Sequence, residues 1–221
     1  MSVMKTGIIF DLDGTLLNTI EDIAAACNRG VSEFGFPLRT VEEYKRFVGS
    51  GIETLVRRVL PADFINEGLF PQILAAVRRE YAAVVIDKTV PYPGIVEVLD
   101  ELTARAVPLA VLSNKPHELT VESVRRLLGK YHFHAVFGAR AGQAHKPDPA
   151  QALEAAALMD LPPADVFFVG DSEVDIATAW NAGMRAVACT WGFRGREALE
   201  ALGPYAVISA PLELLGLVDL H

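Results

Sequence analysis

Short apolar runs alternating with helical patterns fill the second half of this chain, and they restrict its fold more than any other feature. The runs are VPLAVLS (107–113), AVFG (135–138), DVFFVGD (165–171), RAVACT (185–190) and YAVIS (205–209). Between them lie HELTVESVRRLLGK, PDPAQALEAAALMD, SEVDIATAWNAG and REALEAL. Alternation of this kind predicts a parallel sheet with right-handed crossovers. The runs are rich in β-branched residues and almost unbroken in apolarity, as strands covered on both faces must be. One more apolar run, residues 3–10, supplies a first strand.

Residues 17–88 have a different character and read as almost pure helix. The candidate helices are NTIEDIAAACNRGVSEFG, TVEEYKRFV, GIETLVRRVL and EGLFPQILAAVRREYAAVV. In the first, Ile20, Ile23, Ala24, Cys27 and Val31 recur at helical spacing, and Gly35 is a C-terminal stop. Pro71 sits near the start of the last, where proline is tolerated. The proline-rich VPYPG (90–94) then returns the chain to the alternating pattern. The expected fold is therefore α/β. A Rossmann-like parallel sheet core is built from residues 1–16 and 90–221, and an α-helical domain is inserted over 17–89.

The chain of 221 residues is 51% hydrophobic and 22% charged, which favours a packed core over disorder. Its formal charge of -8 repels nucleic acid and anionic membrane, so an anionic substrate needs a locally positive site. Cys27 and Cys189 form no CxxC pair and read as small apolar core residues in a reducing compartment. The opening MSVMKTGIIFDLDG lacks the long apolar segment of a leader, and no stretch reaches the roughly 18 apolar residues of a membrane span. A cytoplasmic protein without nucleic-acid or membrane partners is expected, either monomer or homodimer.

IIFDLDGTLLN (8–18) poses the chemical question. Asp11 and Asp13 stand two apart at the end of the first run, and positions i and i+2 of a strand share a side. Two carboxylates so placed repel unless one protonates or something positive sits between them. Ligands of open parallel sheets bind outside the carboxyl ends of the strands. Those ends carry Asp11, Asp13, Gly14 and Thr15; then Ser113, Asn114 and Lys115; then Lys146; then Gly170, Asp171, Ser172 and Asp175. Carboxylates alone suit a hard cation, Mg²⁺ above all. Lysines with hydroxyl and amide donors suit the oxygens of a phosphoryl group. An aspartate there can attack phosphorus, and a second can move the proton.

DLDGT, SNK, KPDP and GDSEVD, in that order, resemble the four motifs of the haloacid dehalogenase superfamily of phosphohydrolases. The likeness covers essentially the whole chain, and the helical insertion resembles that superfamily's cap. It implies Asp11 as nucleophile and metal ligand. It implies Asp13 as general acid/base, with its backbone carbonyl on the metal. Ser113 and Asn114 would bind the phosphoryl group, Lys146 would neutralise it, and Asp171 would bind Mg²⁺ with Asp175 as a second acidic anchor. Thr15 and Lys115 join the phosphate-binding set. Within the superfamily the chain is most similar to the phosphoglycolate phosphatases. SNKP resembles their TNKP, VGSG (48–51) their cap loop, VPYPGI their re-entry joint and WGFRG (191–195) a WGY turn. Asn18, Ser113 and Phe193 depart from the commoner aspartate, threonine and tyrosine without removing a catalytic group. The implied activity is Mg²⁺-dependent hydrolysis of a small phosphate ester, 2-phosphoglycolate foremost. A β-phosphoglucomutase-like transferase, or a phosphatase for pyrophosphate or a nucleotide, uses the same motifs.

Each motif also has a plainer reading. DGT is a turn with a helix cap, GDSEVD a capping arrangement, KPDP a proline-flanked surface turn. Only the four together point to catalysis. Gly49, Ser50 and Gly51 either break two helices or let backbone N–H groups approach a small anion. Arg194 either lies on a surface turn or meets a substrate carboxylate. Arg57, Arg58, Arg78 and Arg79 read as solvated faces, Lys45 as part of an exposed helix face, and His132 and His134 as surface residues. Trp180 and Trp191 read as core or site-edge packing. A scaffold protein that had lost catalysis would usually have lost one of Asp11, Asp13, Lys146 or Asp171.

Overall fold

The computed structural model describes residues 6–64, 66–83 and 86–219. In chain order the elements are β1 (Gly7–Phe10), β2 (Leu17–Asn18), α1 (Ile20–Ser32), α2 (Val41–Phe47), α3 (Ile52–Val59) and α4 (Phe70–Ala83). There follow β3 (Val90–Pro91), α5 (Ile95–Ala104), β4 (Leu109–Pro116), α6 (His117–Leu127), β5 (Ala135–Ala139) and α7 (Ala150–Leu158). After a 3₁₀ turn come β6 (Val166–Gly170), α8 (Glu173–Asn181), β7 (Arg185–Cys189), α9 (Arg196–Glu200), β8 (Ala206–Ile208) and α10 (Glu213–Asp219).

Six strands form one parallel sheet in the order β5-β4-β1-β6-β7-β8. Counted along the chain this is 3-2-1-4-5-6, the doubly wound order whose direction reverses beside the first strand. Alternate residues of β1 feed opposite faces. Ile8 and Phe10 join α5, α6 and α10 in one apolar cluster. Ile9 joins α7, α8 and α9 in the other. Both faces are thus covered, as the apolar runs require.

The four helices α1–α4 bury a separate cluster around Ile23, Tyr44, Val56 and Ile73. Helix α2 starts at Thr40, whose side chain accepts from Glu43 N while Glu43 reaches back to the Thr40 N–H. Gly30 lets α1 and α4 meet: a Cβ there would lie 2.6 Å from Val77 Cα. The outgoing and returning chains pair as an antiparallel ribbon, Leu17 with Pro91 and Asn18 with Val90. Buried Asp22 of α1 secures the return by accepting from Thr89 N and Thr89 Oγ1 at 2.9 and 2.6 Å.

The expected strands and helices all form, with ends shifted by a few residues; positions 3–5 of the first run and 84–85 of the fourth helix lie outside the described residues. The ribbon and helices α5 and α10 are additions. Helix α5 carries a legible signal, since Ile95, Val98, Leu99 and Leu102 are its buried residues at helical spacing. Trp180 corrects the packing expectation: it is 50% exposed on α8. Trp191 does pack at the core edge, its Nε1 donating to Thr15 O at 2.9 Å. Cys27 and Cys189 are buried, and His132 and His134 are exposed. Among the described residues no helix is long and apolar enough to cross a membrane.

Candidate active site

Where the strand order reverses, the carboxyl ends of β1, β4 and β6 lie side by side. Asp11 extends the β1 ladder by donating its N–H to Val169 O at 2.9 Å, then leaves the sheet. Its Oδ1 accepts from Leu12 N at 2.7 Å and lies 2.9 Å from Lys146 Nζ. Among the described residues its Oδ2 has no hydrogen-bond partner. The chain turns at Gly14, with φ +92°; a Cβ there would sit 2.5 Å from Asp171 Oδ2, so glycine meets both the conformation and the space.

Asp171 follows β6 and accepts from Phe193 N at 2.6 Å. Asp175 sits in the first turn of α8, where it completes a capping box: its Oδ2 accepts from Ser172 N and Ser172 Oγ at 3.0 and 2.5 Å. Its Oδ1 accepts from Lys146 Nζ at 2.6 Å. Carboxylate oxygens of Asp11, Asp171 and Asp175 all fall within 4.8 Å of one another, and all three residues are buried. Burial pushes the Asp11 carboxyl up to about 7, opposed by Lys146 and aided by Asp175. Burial, then Asp175 and Asp11, hold Asp171 well above the usual carboxylate range. Burial alone would lower the Lys146 ammonium, but Asp11 and Asp175 hold it above its ordinary value.

With all three carboxylates ionised, one ammonium leaves two negative charges unanswered, and that excess tests the fit of a cation. A divalent ion would balance it, and an all-oxygen set suits a hard one. Asp13 is not part of this set. Its carboxylate is engaged by Lys115 Nζ at 3.1 and 3.4 Å.

Above the cluster lies a chamber of about 40 Å³, on the order of three waters. Asp11, Asp13, Ser113, Asn114 and Lys115 give it a polar floor. Ile23, Val48, Ile52 and Leu55 of the helical unit give it an apolar roof, with Gly49 and Gly51 at the edge. A wider cleft of about 760 Å³ adjoins it between α3, α4 and the loop after β5.

Several of the candidate residues fall outside the chamber or are engaged elsewhere. Thr15 does not line the chamber; its Oγ1 lies 3.7 Å from Cys189 Sγ beneath the turn. Ser50 lines the outer cleft instead. The Asn114 side-chain N–H groups are taken by Gly49 O and Lys146 O, each at 3.0 Å, so its amide keeps no free donor for phosphate, and among the described residues its buried Oδ1 has no hydrogen-bond partner. Arg194 lies off the chamber, bound to backbone carbonyls of the helical unit. Lys45 pairs with Glu42 at 2.7 Å along the helix surface, in keeping with the exposed face expected for it. Arg57, Arg58, Arg78 and Arg79 are exposed as expected.

Tyr81 of α4 was not legible as a site residue. Its hydroxyl meets Lys115 Nζ at 2.7 Å, and it lines both chamber and cleft. Burial pushes the Tyr81 hydroxyl up to about 12, against the pull of Lys115. One tyrosine in a helix otherwise patterned for its own core has no local signature; only the approach of α4 to the end of β4 in the folded chain brings it to Lys115.

Comparison with known proteins bears on this geometry. Residues 8–189 match the family model for haloacid dehalogenase-like hydrolases. Phosphoglycolate phosphatase 1 of Pseudomonas aeruginosa is 32% identical over 216 residues, spanning 96% of this chain and 79% of its own. The phosphoglycolate phosphatase of Aquifex aeolicus is 29% identical, with 97% of each chain covered. A Lactobacillus delbrueckii subsp. bulgaricus crystal structure, provisionally named a phosphoglycolate phosphatase, superposes with a TM-score of 0.88 at 30% identity, covering 96% of this chain and 98% of the other.

Proposed function

The chain belongs to the haloacid dehalogenase-like hydrolases and is a phosphatase, and on that premise we propose that it hydrolyses 2-phosphoglycolate with Mg²⁺ through an aspartyl-phosphate on Asp11. The observation that carries this reading is the free Asp11 Oδ2 at the chamber, with its Oδ1 held by Leu12 N and Lys146. One oxygen is oriented and the other is left to react.

In the first half-reaction Asp11 Oδ2 bonds to phosphorus as the ester P–O bond breaks. Asp13, in a form that carries a proton and has let go of Lys115, gives that proton to the leaving alkoxide oxygen. In the second half, water attacks phosphorus and passes a proton to Asp13, and the bond to Asp11 breaks. Inorganic phosphate is released and both aspartates return to their starting forms. Lys146 offsets negative charge at the nucleophile, and the Ser113 hydroxyl is placed to meet a phosphoryl oxygen. Asp11 and Asp171 would hold the Mg²⁺, with Asp175 steadying the cluster through Ser172 and Lys146. When bound, the ion supplies positive charge for the phosphoryl oxygens.

Residues 17–89 act as a cap in this reading. A small chamber with an apolar roof excludes water and favours a compact substrate. Lys115 offers a positive charge at its wall for a second anionic group. The relatives' names favour phosphoglycolate among such compounds.

Phosphate release from 2-phosphoglycolate, a nucleoside monophosphate, pyrophosphate and β-glucose 1-phosphate, with and without Mg²⁺, tests the proposal. A metal-dependent preference for 2-phosphoglycolate is expected. Equal weak turnover of all four would sink the substrate assignment. Phosphorylation of Asp11 without phosphate release would favour a transferase.

A further inference from the structure

The loop after β7 joins the acidic cluster to the cap through two adjacent residues. Phe193 N donates to Asp171 Oδ2, while its side chain packs against the cap's apolar cluster. Arg194 reaches the same unit by hydrogen bonds. Its Nη1 donates to Lys45 O at 2.5 Å and its Nη2 to Val48 O at 2.9 Å. Its Nε and Nη2 also meet the Glu173 carboxylate at 2.9 and 3.2 Å, which fixes the plane of the fork. The Arg194 side chain is only 15% exposed.

Lys45 and Val48 lie at the C-terminal end of α2, where carbonyls lack intrahelical partners and carry partial negative charge. The next carbonyl, Gly49 O, accepts from Asn114 Nδ2 at 3.0 Å. Consecutive carbonyls of the 48–51 loop are therefore held by two core residues. One follows β7 and the other belongs to β4, on opposite sides of β1.

We propose that Arg194 is a positioning residue for the phosphatase reaction, latching the end of α2 to the core so that the 48–51 loop stays seated over Asp11. The inference rests on reading the chamber as a phosphatase site, and not on which ester it accepts. A guanidinium can bind two carbonyls and a carboxylate in one plane; an ammonium cannot. Without the latch the loop-seated state is less populated, and apparent affinity falls by that fraction while the chemistry of the seated state is unchanged.

Arg194→Lys is the decisive variant, because Arg194 also lies near enough to Asp171 for its charge to be felt there. Lysine keeps the charge and loses the fork. The latch predicts about a tenfold higher KM for the best ester, with kcat within about twofold. It also predicts about tenfold faster amide exchange at residues 45–51 and an unchanged Mg²⁺ requirement. Arg194→Ala should show the same KM and exchange effects or larger ones. Arg79→Ala, which removes exposed pairs with Glu33 and Glu80 elsewhere in the cap, should leave KM within about twofold. Wild-type exchange in both Arg194 variants would overturn the proposal. So would a wild-type Lys variant beside an Ala variant that merely needs more Mg²⁺. If the Ala variant does not fold, the Lys variant and Glu173→Gln decide, the latter expected to raise KM severalfold. If wild-type protein hydrolyses none of the esters, the proposed substrate fails, and the exchange comparison alone decides the latch.

Discussion

The core and the cap place their charges in opposite ways. Beneath the chamber, Asp11, Asp171, Asp175 and Lys146 are all buried, and the carboxylates outnumber the ammonium. In the cap, Arg57 and Arg79 are exposed and pair with Glu67 and Glu33 across helix surfaces. Buried charges concentrate energy and demand a partner, while exposed pairs contribute little because water competes for both members. Chemistry therefore belongs to the core floor. The cap contributes shape, an apolar roof and a few backbone carbonyls.

The contrast breaks most completely at the proposed nucleophile. Asp11→Asn removes the oxygen proposed to react, and phosphate release should fall by about 10⁴-fold or more with the fold retained by circular dichroism. Lys146→Met strips the cluster of its ammonium and leaves Asp11 and Asp175 facing each other unanswered. Urea unfolding without added metal at pH 8 should show a loss of about 3–5 kcal/mol.

Metal and pH sharpen the same point. Asp11 rises from 3.8 to about 7 on folding, so the folded chain keeps a proton that the unfolded chain gives up across that window. This contribution to stability is present below about pH 4 and is lost as pH rises through about 7. A cation competes with those protons. Added Mg²⁺ should raise the melting midpoint by about 5 °C at pH 8 and hardly at all at pH 5. A larger shift at pH 5 would contradict a carboxylate site.

At the boundary between the regions, Tyr81→Phe removes one hydroxyl from Lys115. A roughly tenfold rise in KM with little change in melting midpoint is expected, the scale of one hydrogen bond to a charged group, about 1.5 kcal/mol. Deep in the cap surface, Arg79→Ala should leave both turnover and midpoint unchanged.

Legibility in the sequence follows the same division. Asp11, Ser113 and Asp171 stand at strand ends and Lys146 in the connection after β5, and the position of a strand end follows from a short apolar run. The switch point then brings those ends together without any knowledge of side-chain packing. Arg194 and Asn114 stand in equally recognisable segments, yet the segments alone do not say what their side chains meet. Whether a donor faces a ligand or a backbone carbonyl depends on where the cap's α2 ends. That is a contact between segments more than a hundred residues apart, Arg194 with Lys45 and Val48. Tyr81 and the β2–β3 ribbon were not read for the same reason.

The sequence by itself determined the parallel sheet, the helical insertion and the four motifs, because strand and helix periods and strand-end residues are local properties of the chain. Tertiary structure alone decided which groups are free to act. It left Asp11 Oδ2 open, turned Asp13 to Lys115, closed the Asn114 amide onto two carbonyls and set Arg194 on the end of α2. A polar group's role is set by which partner reaches it first, and that is fixed only when distant segments pack.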